Sequence, residues 1–353
     1  MKKLACVKRG RFRSVQSILR GLVAAALLLC AAAPVVQAAD KIVAAGNRLS
    51  AIAPLYIAIE KGLFAADGLE VSLVHLTSAT EIGAGIASGS AQFGMTAFSA
   101  GIYTLAGKGG LKVIGGGYEE YPGFHGVALV VNKGAYDRGL KKPADLAGKK
   151  VAITTVGSGS HNQLARLARK YGFKFEDIQI VPLQTLANEV SAVKGGQVDV
   201  SPLPATLAQQ VEDSGAGKII AWMGDEVPTQ FGGVFATPDT IDKRRGLTVR
   251  FVRAYVKAIR YYDDAVQRRG ADGSAIRGEN YDEAIRIIAQ HTGEPPALLA
   301  LALPYFNPEA RLQVADIAEQ IAVYKSLRLV DAALTVEQVL DRSFVPAGKI
   351  APK

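Results

Sequence analysis

Residues 153–172, ITTVGSGSHNQLARLARKYG, join an apolar strand to a helical pattern through a run of glycines and serines. After the turn, Leu164, Leu167, Ala168 and Tyr171 recur on one helical face. Two nucleotide motifs fail here by spacing. Gly157-Ser158-Gly159-Ser160-His161-Asn162 lacks the third glycine of the dinucleotide fingerprint, and no Gly-Lys-Ser/Thr follows to make a phosphate loop. What remains is the general chemistry of a helix start. A helix beginning near Ser160 leaves its first N–H groups without intrahelical acceptors, and its dipole favours a carboxylate, sulfonate or phosphate at that end. Taken alone, the stretch reads first as a plain strand-to-helix turn capped by Ser158 or Ser160.

The chain has 353 residues, of which 49% are hydrophobic and 21% charged. That is enough for two lobes with real cores and is not a disordered composition. The formal net charge of +9 raises the question of nucleic acid. Lys2, Lys3, Lys8, Arg9, Arg11, Arg13 and Arg20 all precede an uncharged stretch, residues 21–39, and no acid occurs before Asp40. Taking these seven charges from +9 leaves +2, so no nucleic-acid partner is expected. The leader has a positive start, the apolar core GLVAAALLLCAAAPVV and the small-residue site Val36-Gln37-Ala38 before Ala39. Residues 1–38 therefore read as a secretory signal, and the protein as periplasmic. An uncleaved anchor is the alternative, but the apolar run is short for a span of about 20 residues and Pro34 interrupts it. Cys30 follows Leu29, where a lipoprotein signal wants a small residue, and the only other cysteine is Cys6. A chain cleaved at Ala39 has no disulfide, thiolate metal site or cysteine nucleophile.

Beyond the leader, KIVAA, EVSLVHL, AQFGMT, KVIGGG, VALVVN, KVAITT, IQIVPL, VDVSPL and KIIAWM read as strands. Helical patterns lie between them near residues 54–61, 78–88, 161–171 and 186–194, and Ser78 with Glu81 has capping-box spacing. The alternation predicts an α/β fold with largely parallel sheets. From Leu247 onward the pattern is helical, with Val252, Tyr255, Val256, Ile259 and Tyr262 in one core-facing stripe and further helices near Tyr281 and Arg311. EIGAGIASGSAQFGMT and EVSAVKGGQVDVSP form a loose internal echo without a strict period. His75, His125, His161 and His291 show no metal spacing, and no metal or cofactor is expected. His161 opens a helix, whose positive end should push its pKa down and keep the ring neutral.

Four segments in succession carry a family resemblance: APLYIAIEKGLFAADGLEVSLV (residues 53–74), IASGSAQFGMTAFSA (86–100), KKPADLAGKKVAITTVGSGSHNQLARLA (141–168) and VKGGQVDVSPLPATLA (193–208). Together they closely resemble the substrate-binding proteins of nitrate/sulfonate/taurine-type ABC importers. The resemblance implies a two-lobed, type II periplasmic-binding fold, each lobe a mostly parallel sheet flanked by helices with the cleft between. It implies lobe 1 from residues 39–126 and 229–353, including the helical tail, and lobe 2 from residues 127–228. The crossovers fall near residues 124–130 and 227–234. In open α/β sheets ligands settle beyond the carboxyl ends of strands. The matching positions are Asn47, Arg48 and Ser50; Thr96, Phe98 and Ser99; and Tyr118 to Tyr121. Lobe 2 supplies Ser158, Ser160 and His161, Gln184 and Thr185, and Pro202 to Pro204, with Thr229 and Gln230 at the return crossover. Each has a bland alternative: a solvated charge for Arg48, core for Phe98, loop aromatics for Tyr118 and Tyr121.

Three functional classes follow. The favoured one is a monomeric, non-enzymatic binding module that closes by hinge bending on a small-molecule anion and delivers it to a membrane permease. Arg48 and the serine-bearing helix starts favour a carboxylate or sulfonate, and Phe98, Tyr118, Tyr121 and Phe124 offer packing for an apolar or aromatic body. The second is an enzyme like the eukaryotic thiamine-pyrimidine synthases, which the resemblance also reaches; their cysteine-rich motif is missing here. The third is a ligand-binding sensory domain, which would need a separate output partner.

Overall fold

The structure, a computed structural model, describes residues 38–348. The leader, with both cysteines, lies outside the described residues apart from Ala38. All nine apolar segments named above form strands: β1 (Asp40–Gly46), β2 (Leu69–His75), β3 (Phe93–Ala97), β4 (Lys112–Gly116) and, after a short β5 (Tyr118–Glu120), β6 (Val127–Asn132), β7 (Lys150–Ile153), β8 (Gln179–Pro182), β9 (Val200–Pro204) and β10 (Gly217–Trp222). Two further strands, β11 (Thr229–Gln230) and β12 (Gly232–Ala236), carried too weak a pattern to be seen. The first is two residues long, and the second opens on two glycines, which suit strands poorly.

These strands build two five-stranded sheets, ordered β2-β1-β3-β12-β4 and β10-β6-β9-β7-β8. In each sheet four strands share a direction and one opposes them, β12 in the first and β6 in the second. The opposed strand is the one that arrives from the other sheet. Elsewhere a helix carries the chain back, as parallel pairing requires. The internal echo has a structural meaning. Helix Ala79–Ala87 leads into β3 and helix Leu186–Lys194 into β9, the central strand of each sheet.

Helix starts follow the hydroxyl residues. Ser78, Ser99, Ser158 and Thr185 each accept a hydrogen bond from the N–H three residues on, at 3.2–3.3 Å. The core of the first sheet is closed by helix Arg245–Tyr262, whose Phe251 stacks on Phe93 (3.9 Å between ring centres) and Phe64 (4.9 Å). Val252, Tyr255, Ile259 and Tyr262 of the predicted stripe are buried there and Val256 is partly so.

The return crossover is tied both by strand pairing and by a buried carboxylate. β11 pairs antiparallel with β5, and β5 pairs in turn with β13 (Tyr305–Phe306). Asp316, on helix Val314–Ser326, accepts from the Thr229 hydroxyl (2.7 Å), the Gln230 N–H (2.9 Å), Gln320 Nε2 (2.8 Å) and Arg166 Nη1 (2.8 Å). Arg166 belongs to helix Gly159–Tyr171, and both charged side chains are at most a tenth exposed. Without Asp316, Arg166 keeps only the partly exposed Glu319 (3.1 Å) as a charged partner, and the buried Thr229 hydroxyl, Gln230 N–H and Gln320 amide lose their shared acceptor. Asp316→Ala is expected to lower the free energy of unfolding by about 3–5 kcal/mol in urea titrations; a loss under about 1 kcal/mol would contradict this role.

Candidate functional site

A cavity of about 130 Å³ opens where the carboxyl ends of the two sheets face each other. Asn47 follows β1, Thr96 to Ser99 close and follow β3, Thr154 and Thr155 follow β7, and Pro202 and Pro204 close β9. Three helix starts reach the same space through Ser78, Ser99 and Ser158. Tyr118 and Phe231, with ring centres 5.2 Å apart, form its aromatic wall.

The stretch VGSGSH joins the two sides. Gly157 has φ +83°, and its carbonyl accepts from the Ala100 N–H at 2.8 Å. A Cβ there would stand 2.8 Å from the Ala100 Cβ, so conformation and close approach both demand glycine. The Ser158 carbonyl accepts from the Tyr324 hydroxyl (2.8 Å), and Asn162 Nδ2 donates to the Gln320 carbonyl (3.0 Å). Ser158, rather than Ser160, caps the helix. The N–H groups of Gly159 and Ser160 find no acceptor among the described residues, as expected for a first helical turn. The hydroxyls of Thr80, Thr154, Thr155 and Ser160 also lack a hydrogen-bonding partner among the described residues, and all four residues line the cavity. No lysine or arginine lines it. An anion held here would be met by N–H groups, hydroxyls and helix ends instead of a counter-ion.

Of the residues expected at the site, the structure brings Asn47, Thr96, Phe98, Ser99, Tyr118, Ser158, Ser160, Pro202 and Pro204 to this cavity. Phe98 is also core, stacked against Tyr103. The others lie elsewhere. Arg48 is exposed, and Ser50 opens a short 3₁₀ turn. Tyr121 stacks on Tyr305 (4.4 Å), with Phe124 beside both, so this aromatic cluster is separate from the cavity lining. Gln184 is exposed with φ +71°, and Thr185 is a helix cap. Gln230 and Thr229 are buried in the crossover, where Gln230 Nε2 donates to the Arg311 carbonyl (2.9 Å) and its Oε1 accepts from the Gln313 N–H (2.9 Å). His161 turns its Nδ1 to the Gly157 N–H (2.9 Å). Its pKa is pushed down to about 4, so the ring is neutral as expected, and burial is the cause.

The sequence reasoning missed Thr77, Thr80, Thr154, Thr155, Glu189 and Phe231. Thr154 and Thr155 directly follow the strand KVAI, and the strand-end rule applied strictly would have found them. Glu189 had no such signal. It is 1% exposed, Ser201 Oγ donates to its Oε2 at 2.6 Å, and burial raises its pKa to about 7.

Two helix-flanked sheets whose carboxyl ends face a shared cavity define the class of type II periplasmic-binding folds. The chain belongs to the NMT1/THI5-like family, which matches residues 50–265. A protein of Escherichia coli (strain K12), whose name assigns it to aliphatic sulfonate binding, is 27% identical over 207 residues, 56% of this chain. The match spans 58% of that relative's length. Among solved structures, the alkanesulfonate-binding protein SsuA of Xanthomonas axonopodis pv. citri, bound to MOPS, aligns with TM-score 0.69 and 19% identity over 87% of this chain and 100% of its own. The periplasmic nitrate-binding protein NrtA of Synechocystis PCC 6803 aligns with TM-score 0.67 and 14% identity over 86% of each chain. These two likenesses show the fold. All three relatives are binding proteins. Among the described residues, no helix is long and apolar enough to cross a membrane, and no group of acidic or histidine side chains is arranged to hold a metal.

Two outcomes follow from the site's chemistry. Ser158→Ala removes a cap and is expected to cost about 1 kcal/mol of stability, whereas Ser160→Ala should stay within about 0.5 kcal/mol in the same unfolding assay. Equal losses would contradict the assignment of the cap. The second concerns pH. Burial raises Glu119 and Glu189 to about 7 and Glu120 to about 8, above their unfolded value, so their contribution is lost as pH rises through these values. His161 acts in the opposite sense, but only below its unfolded pKa of about 6.5. The melting temperature of the ligand-free protein should therefore fall between about pH 6.5 and pH 8.5; a rise over that window would contradict the burial of these carboxyls.

Proposed function

We propose that this protein is the exported solute-binding component of an ABC importer, capturing a small organic anion, a carboxylate or sulfonate, and presenting it to a membrane permease. The observation that carries this is the meeting of unpaired helix-start N–H groups and unpartnered hydroxyls in one cavity between two sheets. Such groups stabilise negative charge without a catalytic residue. The sulfonate and nitrate binding named for the relatives is in keeping with it. In this account residues 39–126 and 229–353 form one lobe and residues 127–228 the other, and they close on the solute as a monomer by bending at the crossovers. The anionic head sits at Gly159 and Ser160, and Arg48 plays no direct part.

Titration calorimetry with alkane- and arenesulfonates and the matching carboxylates tests this. At least one series should bind with 1:1 stoichiometry. Ser160→Ala should weaken that binding by roughly ten-fold or more, as loss of a hydrogen bond to a charged group does. Arg48→Ala should change it by less than about three-fold, since exposed charges are screened at physiological salt. Absence of binding by both series, or the reverse order of the two variants, would overturn the proposal.

A further inference from the structure

Glu189 is out of place for a site that favours anions. It sits in the first half of helix Leu186–Lys194, and helix Ala79–Ala87 occupies the equivalent place before the central strand of the other sheet. The two helices end alike, at left-handed Gly196 (φ +68°) and Gly89 (φ +79°). Counting back seven residues from each glycine reaches Glu189 in one and Ile82 in the other. Ile82 is fully buried core, as the position demands. A carboxyl in its stead costs desolvation that an isoleucine does not.

The structure repays only half of that cost. Oε2 is satisfied by Ser201, but Oε1 is buried with no hydrogen-bond partner among the described residues. Glu189 is one of the residues that line the cavity, so its unpartnered oxygen lies at the edge of the solute space. Buried unsatisfied acceptors call for an explanation, and among those of the described residues only Glu189 belongs to the cavity lining, where a ligand can supply the missing donor.

We propose that the solute is an organic anion that also carries an ammonium or other N–H donor, its anionic head at the Gly159 and Ser160 N–H groups and its donor on Glu189 Oε1. Glu189 is then the specificity-determining residue. It rejects anions lacking the donor, because they leave the carboxylate buried and unpaired, and discrimination by an unpaired polar group exceeds that by size alone. The assignment rests on the solute-binding role proposed above.

The test measures affinities for two probe pairs, 3-aminopropanesulfonate with propanesulfonate and 4-aminobutanoate with butanoate, on the wild-type chain, Glu189→Gln and Glu189→Leu. The leucine variant restores the apolar character of Ile82's position and is expected to fold. The wild type should bind the aminated member of at least one pair ten-fold or more tightly than the plain member. Both variants should bring that ratio to within about three-fold of unity, the aminated member losing affinity and the plain anion, no longer facing an unpaired carboxylate, gaining some. Plain anions binding as well as aminated ones to the wild type would overturn the role of Glu189 and leave the solute-binding role intact. A ratio unchanged in both variants would do the same. Failure of all four probes to bind would count against the solute-binding role and this inference together.

Discussion

The carboxylate of Asp316 holds the two halves of this molecule in register. It gathers the return crossover through Thr229 and Gln230, the C-terminal helix through Gln320, and the second sheet's helix through Arg166. Helix Gly159–Tyr171 is thereby fixed from its side, and its first turn is fixed by Ala100, Tyr324 and Gln320. Buried ion pairs are costly to desolvate. Here the pair helps to set helix starts from two different sheets around one cavity.

The cavity then follows from the fold with few special residues. A parallel strand followed by a helix delivers free N–H groups at the sheet's carboxyl end, and two such sheets facing each other deliver several sets. Ser78, Ser99 and Ser158 spend their hydroxyls on capping, which leaves the Gly159 and Ser160 N–H groups and the hydroxyls of Thr80, Thr154, Thr155 and Ser160 for a ligand. With no lysine or arginine in the lining, the attraction proposed for an anion rests on fixed dipoles that need no reorganisation. Against this background a buried glutamate is the chemically distinctive group.

Much of the fold was legible because its strands are short apolar runs bounded by glycine and polar turns, and all nine such runs are strands. β11 and β12 were not, since their order comes from hydrogen bonds to Asp316 and to neighbouring strands rather than from their own residues. The lining of the cavity was legible in outline. Strand-end and helix-start rules led to Asn47, Thr96, Ser99, Ser158 and Ser160. They misled at Arg48, Tyr121 and Gln230, where proximity in sequence to a strand end does not fix which way a side chain turns. Glu189 was invisible because a glutamate in a helix is ordinarily a solvated one, and only the placement of its helix buries it.

The central claim is that the first turn of helix Gly159–Tyr171 receives the anionic head of the solute. Amide ¹H–¹⁵N spectra of the protein, titrated with an alkanesulfonate or carboxylate that calorimetry shows to bind, test it most directly. Large, saturable shifts of the Gly159 and Ser160 amides, with the rest of that helix little moved beyond its first turn, are predicted. Saturation with those two amides unmoved would contradict it.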